Sequence, residues 1–335
     1  MIIHSFAAFK AKQKLKPFSY KRKPLESWDV RIRVTHCGIC HSDIHLIDND
    51  WGFSKYPLVP GHEVIGEVVE LGKSSKHLKI GMRVGVGWQA GSCMKCVWCK
   101  RGDENLCSDS RATCVGNYGG YGEEVQVDSR FAFPIPNRLS SEGAAPLLCG
   151  GVTVFSPLER FNVGKGTKVG ILGVGGLGHL AVQFAAALGA EVTAFSSHPE
   201  KEREVKEMGA QKFVAVSNKS QMKKAEQSLD FLLSTVNARL DWEAYLNLVK
   251  KRGTLCFVGA VPGMIQFPVF SLIVGDRNVA GSVIGSRRTI KSMLDFAAKH
   301  RIEARAEVSP LSEVNQAIQK VRKGKPRYRM VLDLP

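Results

Sequence analysis

The segment Gly173-Val174-Gly175-Gly176-Leu177-Gly178 constrains the fold more than any other part of the chain. It follows a short apolar run, residues 168–172, that reads as a strand. It opens residues 179–188, which read as a helix closed by Gly189, and residues 191–195 read as a strand again. A G-x-G-x-x-G run between a strand and a helix is the setting in which that pattern holds a dinucleotide. Gly173 permits the tight turn, Gly175 lets the backbone approach a pyrophosphate, and Gly178 lets the helix pack closely on the strand. Gly176 and Leu177 complete the turn, and the helix N-terminus offers free N–H groups and partial positive charge to phosphates.

Strand and helix alternation continues through strand-like residues 213–216, 229–234 and 253–258. Apolar strands alternating with helices imply a parallel sheet covered on both faces. The first part of the chain differs. Short β runs at 30–34, 64–69, 125–127 and 131–133 are bounded by turns, and Pro134 and Pro136 then break the pattern. From about residue 288 come a helix, a second helix near 312–323, and a closing strand at 329–332 expected to return to the first domain. A length of 335 residues suits two domains. The expected class is α/β: a β-rich domain from residues 1–149 and 288–335, and a doubly wound parallel-sheet domain from residues 150–287.

The end of the second strand of the parallel domain should select the dinucleotide. An NAD site usually has Asp or Glu there for the ribose 2′-hydroxyl. Here Ser196 and Ser197 stand at that point with Lys201 nearby, and they suit a 2′-phosphate instead. Hydrogen bonds to charged groups contribute roughly 1.5–3 kcal/mol each, so two would favour NADP(H) by a factor on the order of a hundred. Glu200 stands close by and argues the other way.

Nine cysteines, an odd number, argue against a simple disulfide framework. Cys93, Cys96, Cys99 and Cys107 put four thiols in one short loop. Four soft ligands that can fold around one ion suit a closed tetrahedral zinc site, structural in role, with an iron–sulfur cluster as the alternative. Three further segments carry metal-binding residue types: Gly38 to His45, Pro60 to Glu63, and Leu148 to Gly150.

Together these motifs resemble the zinc-dependent medium-chain alcohol dehydrogenase family, and most its cinnamyl-alcohol-dehydrogenase-like branch. The resemblance is carried by residues 38–45, 56–63, the four-cysteine loop, Cys149 and residues 173–178, and it runs over nearly the whole chain. It implies a GroES-like catalytic domain joined to a Rossmann domain. It implies that Cys40, His62 and Cys149 hold a catalytic zinc, with Glu63 beside the metal as a transient ligand and Asp43 orienting the histidine. Ser42 and His45 match a proton relay, and Cys93, Cys96, Cys99 and Cys107 match the structural zinc site. Ser196, Ser197 and Lys201 match positions that hold the NADP 2′-phosphate. By position in the resembling segments, Trp51 and Trp88 line the substrate pocket. The implied reaction is hydride transfer between NADP(H) and an alcohol/aldehyde pair, with aromatic and medium aliphatic aldehydes as substrates. The family often forms dimers through the Rossmann sheet and some members form tetramers, so the resemblance implies a homodimer with a tetramer as the alternative.

The net charge of +16 is gathered in part at Lys10, Lys12, Lys14, Lys16, Lys21, Arg22 and Lys23. No aromatic-rich recognition motif accompanies it, so nucleic acid is not the expected partner. A zinc-ribbon nucleic-acid binder would have no use for the glycine turn or a second metal site. A zinc-independent quinone or enone reductase of the same fold would not need Cys40, His62 and Cys149. No long apolar run or leader-like start is present, so a cytoplasmic protein without membrane partners is expected.

Overall fold

The computed structural model describes residues 1–334 and divides into two compact units, residues 1–152 with 285–334 and residues 153–284.

The first unit is built on a seven-stranded sheet. Its order runs Ala306–Pro310, Arg329–Asp333, Asp29–Ile39, Val64–Leu71, Arg83–Val86 and Ala132–Pro134. Glu124–Asp128 also pairs with the first half of Asp29–Ile39. That eleven-residue strand is the hub: its first half pairs with Glu124–Asp128 and its second half with the closing strand Arg329–Asp333. Val30, Ile32, Val34, Cys37 and Ile39 are buried along it. Burying each such aliphatic side chain contributes about 1.5–3 kcal/mol.

Two amphipathic helices belong to this unit. In Arg287–His300 the buried residues Ile290, Met293, Leu294 and Ala297 recur three and four apart, which puts them on one face. Ser286 Oγ accepts the Thr289 N–H at 3.2 Å and starts the helix; Arg301, left-handed at φ 56°, ends it. Val314–Arg322 buries Val314, Ala317, Ile318 and Val321 in the same spacing.

The segment 1–25 folds more than its composition announces. Ile2–Ala7 and Lys16–Lys21 form an antiparallel pair, with Ile3, Ser5 and Ala7 turned inward. Lys10, Lys12, Lys14, Lys16, Lys21 and Lys23 stay exposed.

The second unit is a six-stranded, fully parallel sheet. Its order is Lys212–Ala215, Glu191–Ser196, Lys168–Leu172, Leu229–Ser234, Val249–Phe257 and Asn278–Gly281. Numbered along the chain this is 3-2-1-4-5-6, the order of a dinucleotide-binding doubly wound sheet. The sequence reading placed the fifth strand at 253–258; it begins four residues earlier, at Val249. Lys250, Lys251 and Arg252 hid its start, because all three are polar and half-buried or exposed.

No helix among the described residues is long and apolar enough to cross a membrane.

Candidate active site

The helix His41–Asp48 starts directly after Cys40, and its first turn organises the site. Asp43 Oδ2 accepts the Cys40 N–H at 2.9 Å, reaching back across the turn as a capping acid does. Asp43 Oδ1 accepts the Gly61 N–H at 2.9 Å and lies 3.0 Å from His62 Nδ1. Tyr121 O–H adds a longer bond to Oδ2, at 3.4 Å. One buried carboxylate therefore ties two chain segments together. Gly61 has no room for a side chain: at φ 100°, a Cβ would lie 2.7 Å from the Tyr121 ring and 2.8 Å from the Cys37 sulfur.

With Nδ1 engaged by Asp43, His62 presents Nε2 to the pocket. Nε2 is buried and has no hydrogen-bond partner among the described residues. Donor atoms of Cys40, His62, Glu63 and Cys149 lie within 4.8 Å of one another, and all four residues are buried. Such an orphaned ring nitrogen facing two thiols is costly unless a cation completes it. Burial works against a proton on His62, but the Asp43 carboxylate and Cys149 outweigh it and hold the ring's pKa well up. The Cys40 thiol is held well down, first by a hydrogen bond from the Cys149 thiol, against the upward push of burial. Cys149 is pushed well up by the same bond and by burial. The two sulfurs and the ring nitrogen thus lie close enough together to serve one ion. Two sulfurs and one imidazole nitrogen are a donor set suited to zinc.

Glu63 is held differently. Both its oxygens accept from Arg329 Nη2, with Oε2 at 2.6 Å. Burial raises the Glu63 carboxyl to about 7, against the pull of Arg329. Burial likewise opposes charge on Arg329, but Glu63 and Cys40 outweigh it and hold the guanidinium charged. Sequence reading gave Arg329 only a place on the closing strand; nothing local marks it as a site residue.

Ser42 is half-buried in the first turn of the same helix. His45, one turn on, pairs with Asp50 Oδ2 at 2.8 Å and lies 5.1 Å, ring to ring, from Trp51. Trp51 in turn meets Phe53 at 5.7 Å and Trp88 edge-on at 6.0 Å. Trp88 stands edge-on to His62 at 5.0 Å. An aromatic wall therefore runs from the relay candidate to the metal-ligand candidate.

In the four-cysteine loop the sulfurs of Cys93, Cys96, Cys99 and Cys107 lie within 4.8 Å of one another. Cys93 Sγ is 3.8 Å from Cys99 Sγ and 3.5 Å from Cys107 Sγ. A zinc–sulfur bond of about 2.3 Å gives a tetrahedron with sulfurs about 3.8 Å apart, so the spacing fits. The backbone N–H groups of Lys95 and Cys96 hold the Cys93 thiol down to about 6, while burial pushes Cys107 up to about 12.

In the second unit, Gly173 turns at φ 87° and the helix Gly178–Ala187 follows, with no side chain capping its N-terminus. A Cβ on Gly178 would stand 1.8 Å from the Gly173 carbonyl oxygen, so helix and turn touch only because it is glycine. A Cβ on Gly175 would meet nothing within 4 Å; that residue faces open space, as a phosphate cradle requires. Gly176 and Leu177 bridge the two. Thr235 Oγ1 donates to the Gly173 carbonyl at 2.9 Å and steadies the turn. Lys201 Nζ donates to the Val174 carbonyl at 2.8 Å, so it already leans on the turn. Ser197 is exposed, and the buried Ser196 Oγ accepts the His198 N–H at 3.1 Å.

Comparison with known proteins gives a consistent answer. Residues 26–137 match the alcohol dehydrogenase GroES-like domain, and residues 176–299 match the zinc-binding dehydrogenase domain. The chain is 43% identical to "Aldehyde reductase AdhA" of Synechocystis sp. over 331 residues, covering 99% of this chain and 98% of that one. A solved cinnamyl alcohol dehydrogenase from Sorghum bicolor superposes with a TM-score of 0.95 at 39% identity, over 99% of this chain and 98% of that one. The cinnamyl alcohol dehydrogenase of Helicobacter pylori, solved with NADP(H), gives 0.92 at 35% identity over 99% and 98%. The chain belongs to the zinc-binding alcohol dehydrogenase family, a GroES-like domain joined to a Rossmann domain.

Proposed function

We propose that this chain transfers a hydride between NADP(H) and an alcohol/aldehyde pair, with a broad range of aromatic and medium aliphatic aldehydes as substrates. The observation that carries the reading is the buried, unpartnered Nε2 of His62 facing the Cys40 and Cys149 thiols. Those three side chains would hold the catalytic zinc, and the four-cysteine loop would hold a structural one. The zinc-independent enone reductase reading leaves that donor set without a purpose.

When bound, zinc supplies Lewis acidity to the substrate oxygen and NADPH supplies the hydride. The chain's own residues do the rest. Asp43 fixes the His62 ring through Nδ1, so that Nε2 stays aimed. Arg329 keeps the Glu63 charge from standing uncompensated beside the thiolate. Ser42 and His45 would pass a proton outward, with Asp50 on His45 Nδ1 fixing that ring. Trp51 and Trp88 would flank the substrate and keep water from it. Gly173, Gly175, Gly176, Leu177 and Gly178 would cradle the pyrophosphate, and Ser196, Ser197 and Lys201 would take the 2′-phosphate. The domain roles follow: catalysis in residues 1–149 with 288–335, cofactor in 150–287.

A homodimer is part of the proposal. Met264, Val269, Phe270, Ile273 and Val274 are exposed at 58–83%. They lie in the chain segment before Asn278–Gly281, the edge strand of the parallel sheet. Exposed apolar side chains beside an unpaired sheet edge suit a second copy.

The test is turnover of benzaldehyde and cinnamaldehyde with NADPH and with NADH, before and after zinc removal. Zinc-dependent turnover that prefers NADPH supports the reading. Equal use of NADH would remove the cofactor assignment alone; activity indifferent to zinc loss would remove the mechanism.

A further inference from the structure

Cys114 lies outside every motif of the sequence, yet its thiol reaches the centre of the site. It is fully buried, and its sulfur lies within 4.8 Å of a His62 ring nitrogen and an Asp43 carboxylate oxygen. These three groups do not make a second metal site. Both Asp43 oxygens are already taken, by the Gly61 and Cys40 N–H groups, the Tyr121 O–H and His62 Nδ1. No carboxylate lone pair points free toward a cation.

What holds Cys114 there is also unusual. The preceding residue, Thr113, is pinned three ways. Its N–H donates to the Trp88 carbonyl at 2.8 Å, and its Oγ1 donates to the Gly87 carbonyl at 2.6 Å and reaches the Trp88 carbonyl at 3.2 Å. Trp88 itself stands edge-on to His62. Thr113 and Trp88 end the short strand pair Gln89–Gly91 and Arg111–Ala112, which is the stem of the four-cysteine loop. Gln89 Nε2 ties that stem to the loop through the Glu104 carbonyl at 2.9 Å and Ser110 Oγ at 2.8 Å. The foot of the thiol loop thus delivers two contacts to one imidazole: an indole edge and a sulfur.

We propose that Cys114, held at the foot of the four-cysteine loop, is a positioning residue of the catalytic metal site, which fixes the His62 ring against Asp43. A sulfur is large and polarisable, and it fills the space beside the ring without competing for the Asp43 carboxylate. Removing it leaves a gap that the ring can tilt into, and a supporting contact of this kind typically changes metal affinity 10- to 100-fold. The inference rests on Cys40, His62 and Cys149 holding the metal.

Cobalt substitution tests it. Wild-type protein loaded with cobalt shows one set of visible bands from the four-thiolate site and one from the second site; a Cys40→Ala variant identifies the second set. In Cys114→Ala the four-thiolate bands, which report a folded loop, stay as they are. The second set shifts, and a chelator strips cobalt from that site about tenfold faster. Cys114→Ser, which keeps the size of the side chain closer to that of the thiol, falls between. Bands and release rates equal to wild type in both variants overturn the proposal. So does equal loosening of both sites, which is what a merely structural core residue would cause. If Cys40→Ala leaves the wild-type spectrum unchanged, the metal-site reading itself fails, and this one with it.

Discussion

Glu63 and Arg329 are 266 residues apart in sequence, yet both carboxylate oxygens of the first accept from one guanidinium nitrogen of the second in a fully buried pair. Breaking a buried pair from one side leaves a charge with no partner, at a cost of about 3–5 kcal/mol. Arg329→Met should lower unfolding free energy by about that much in urea titration, and adding Glu63→Gln should restore most of it. A loss in the single variant below about 1 kcal/mol would show that the pair does not matter to the fold.

The strand-end serines make a sharp prediction. An acid at Ser197 repels a 2′-phosphate and can bond a ribose 2′-hydroxyl. Ser197→Asp should lower kcat/KM with NADPH by about a hundredfold and raise it with NADH. Steady-state kinetics with both cofactors reads the outcome; an unchanged ratio would place the 2′-phosphate elsewhere.

The four-cysteine loop should take up metal more strongly as pH rises. A thiol must lose its proton to bind, and burial holds Cys107 up at about 12 in the metal-free loop. At least one proton therefore leaves with each zinc bound. Apparent affinity should climb about tenfold per pH unit or more between pH 6 and 8. Competition against a chromophoric chelator at several pH values measures this, and a flat profile would contradict it.

Phe270 is 70% exposed on the helix Val269–Ile273, in the chain segment before the edge strand Asn278–Gly281. Sedimentation of the wild type should give twice the 36.7 kDa chain mass. Phe270→Glu puts a charge in a desolvated patch and should shift the mass toward one chain at micromolar concentration. A wild-type monomer would dispose of the assembly proposed here.

Much of this was legible in the sequence because the chemistry is local. The glycine turn spans six residues and the thiol loop fifteen, so spacing alone brings each together. Cys40 and Asp43 lie within one helical turn, and His62 with Glu63 are neighbours. What stayed hidden depends on strand pairing over long separations. Arg329 reaches the site because Arg329–Asp333 pairs beside the second half of Asp29–Ile39, and no periodicity encodes that register. Cys114 and Tyr121 also reach Asp43 from far along the chain, in turn segments whose own residues mark no site. The pair Ile2–Ala7 and Lys16–Lys21 escaped for another reason: its lysines advertise solvent, and its few inward residues carry a weak alternation.

The closing strand also imposes an order on synthesis. Residues 29–149 supply Cys40, Asp43, His62, Glu63 and Cys149 early, but the guanidinium that balances Glu63 belongs to residue 329. Until that strand leaves the ribosome and docks, the hub strand has an open flank and Glu63 lacks its guanidinium partner. A nascent chain can therefore finish its cofactor domain while its metal pocket is still incomplete.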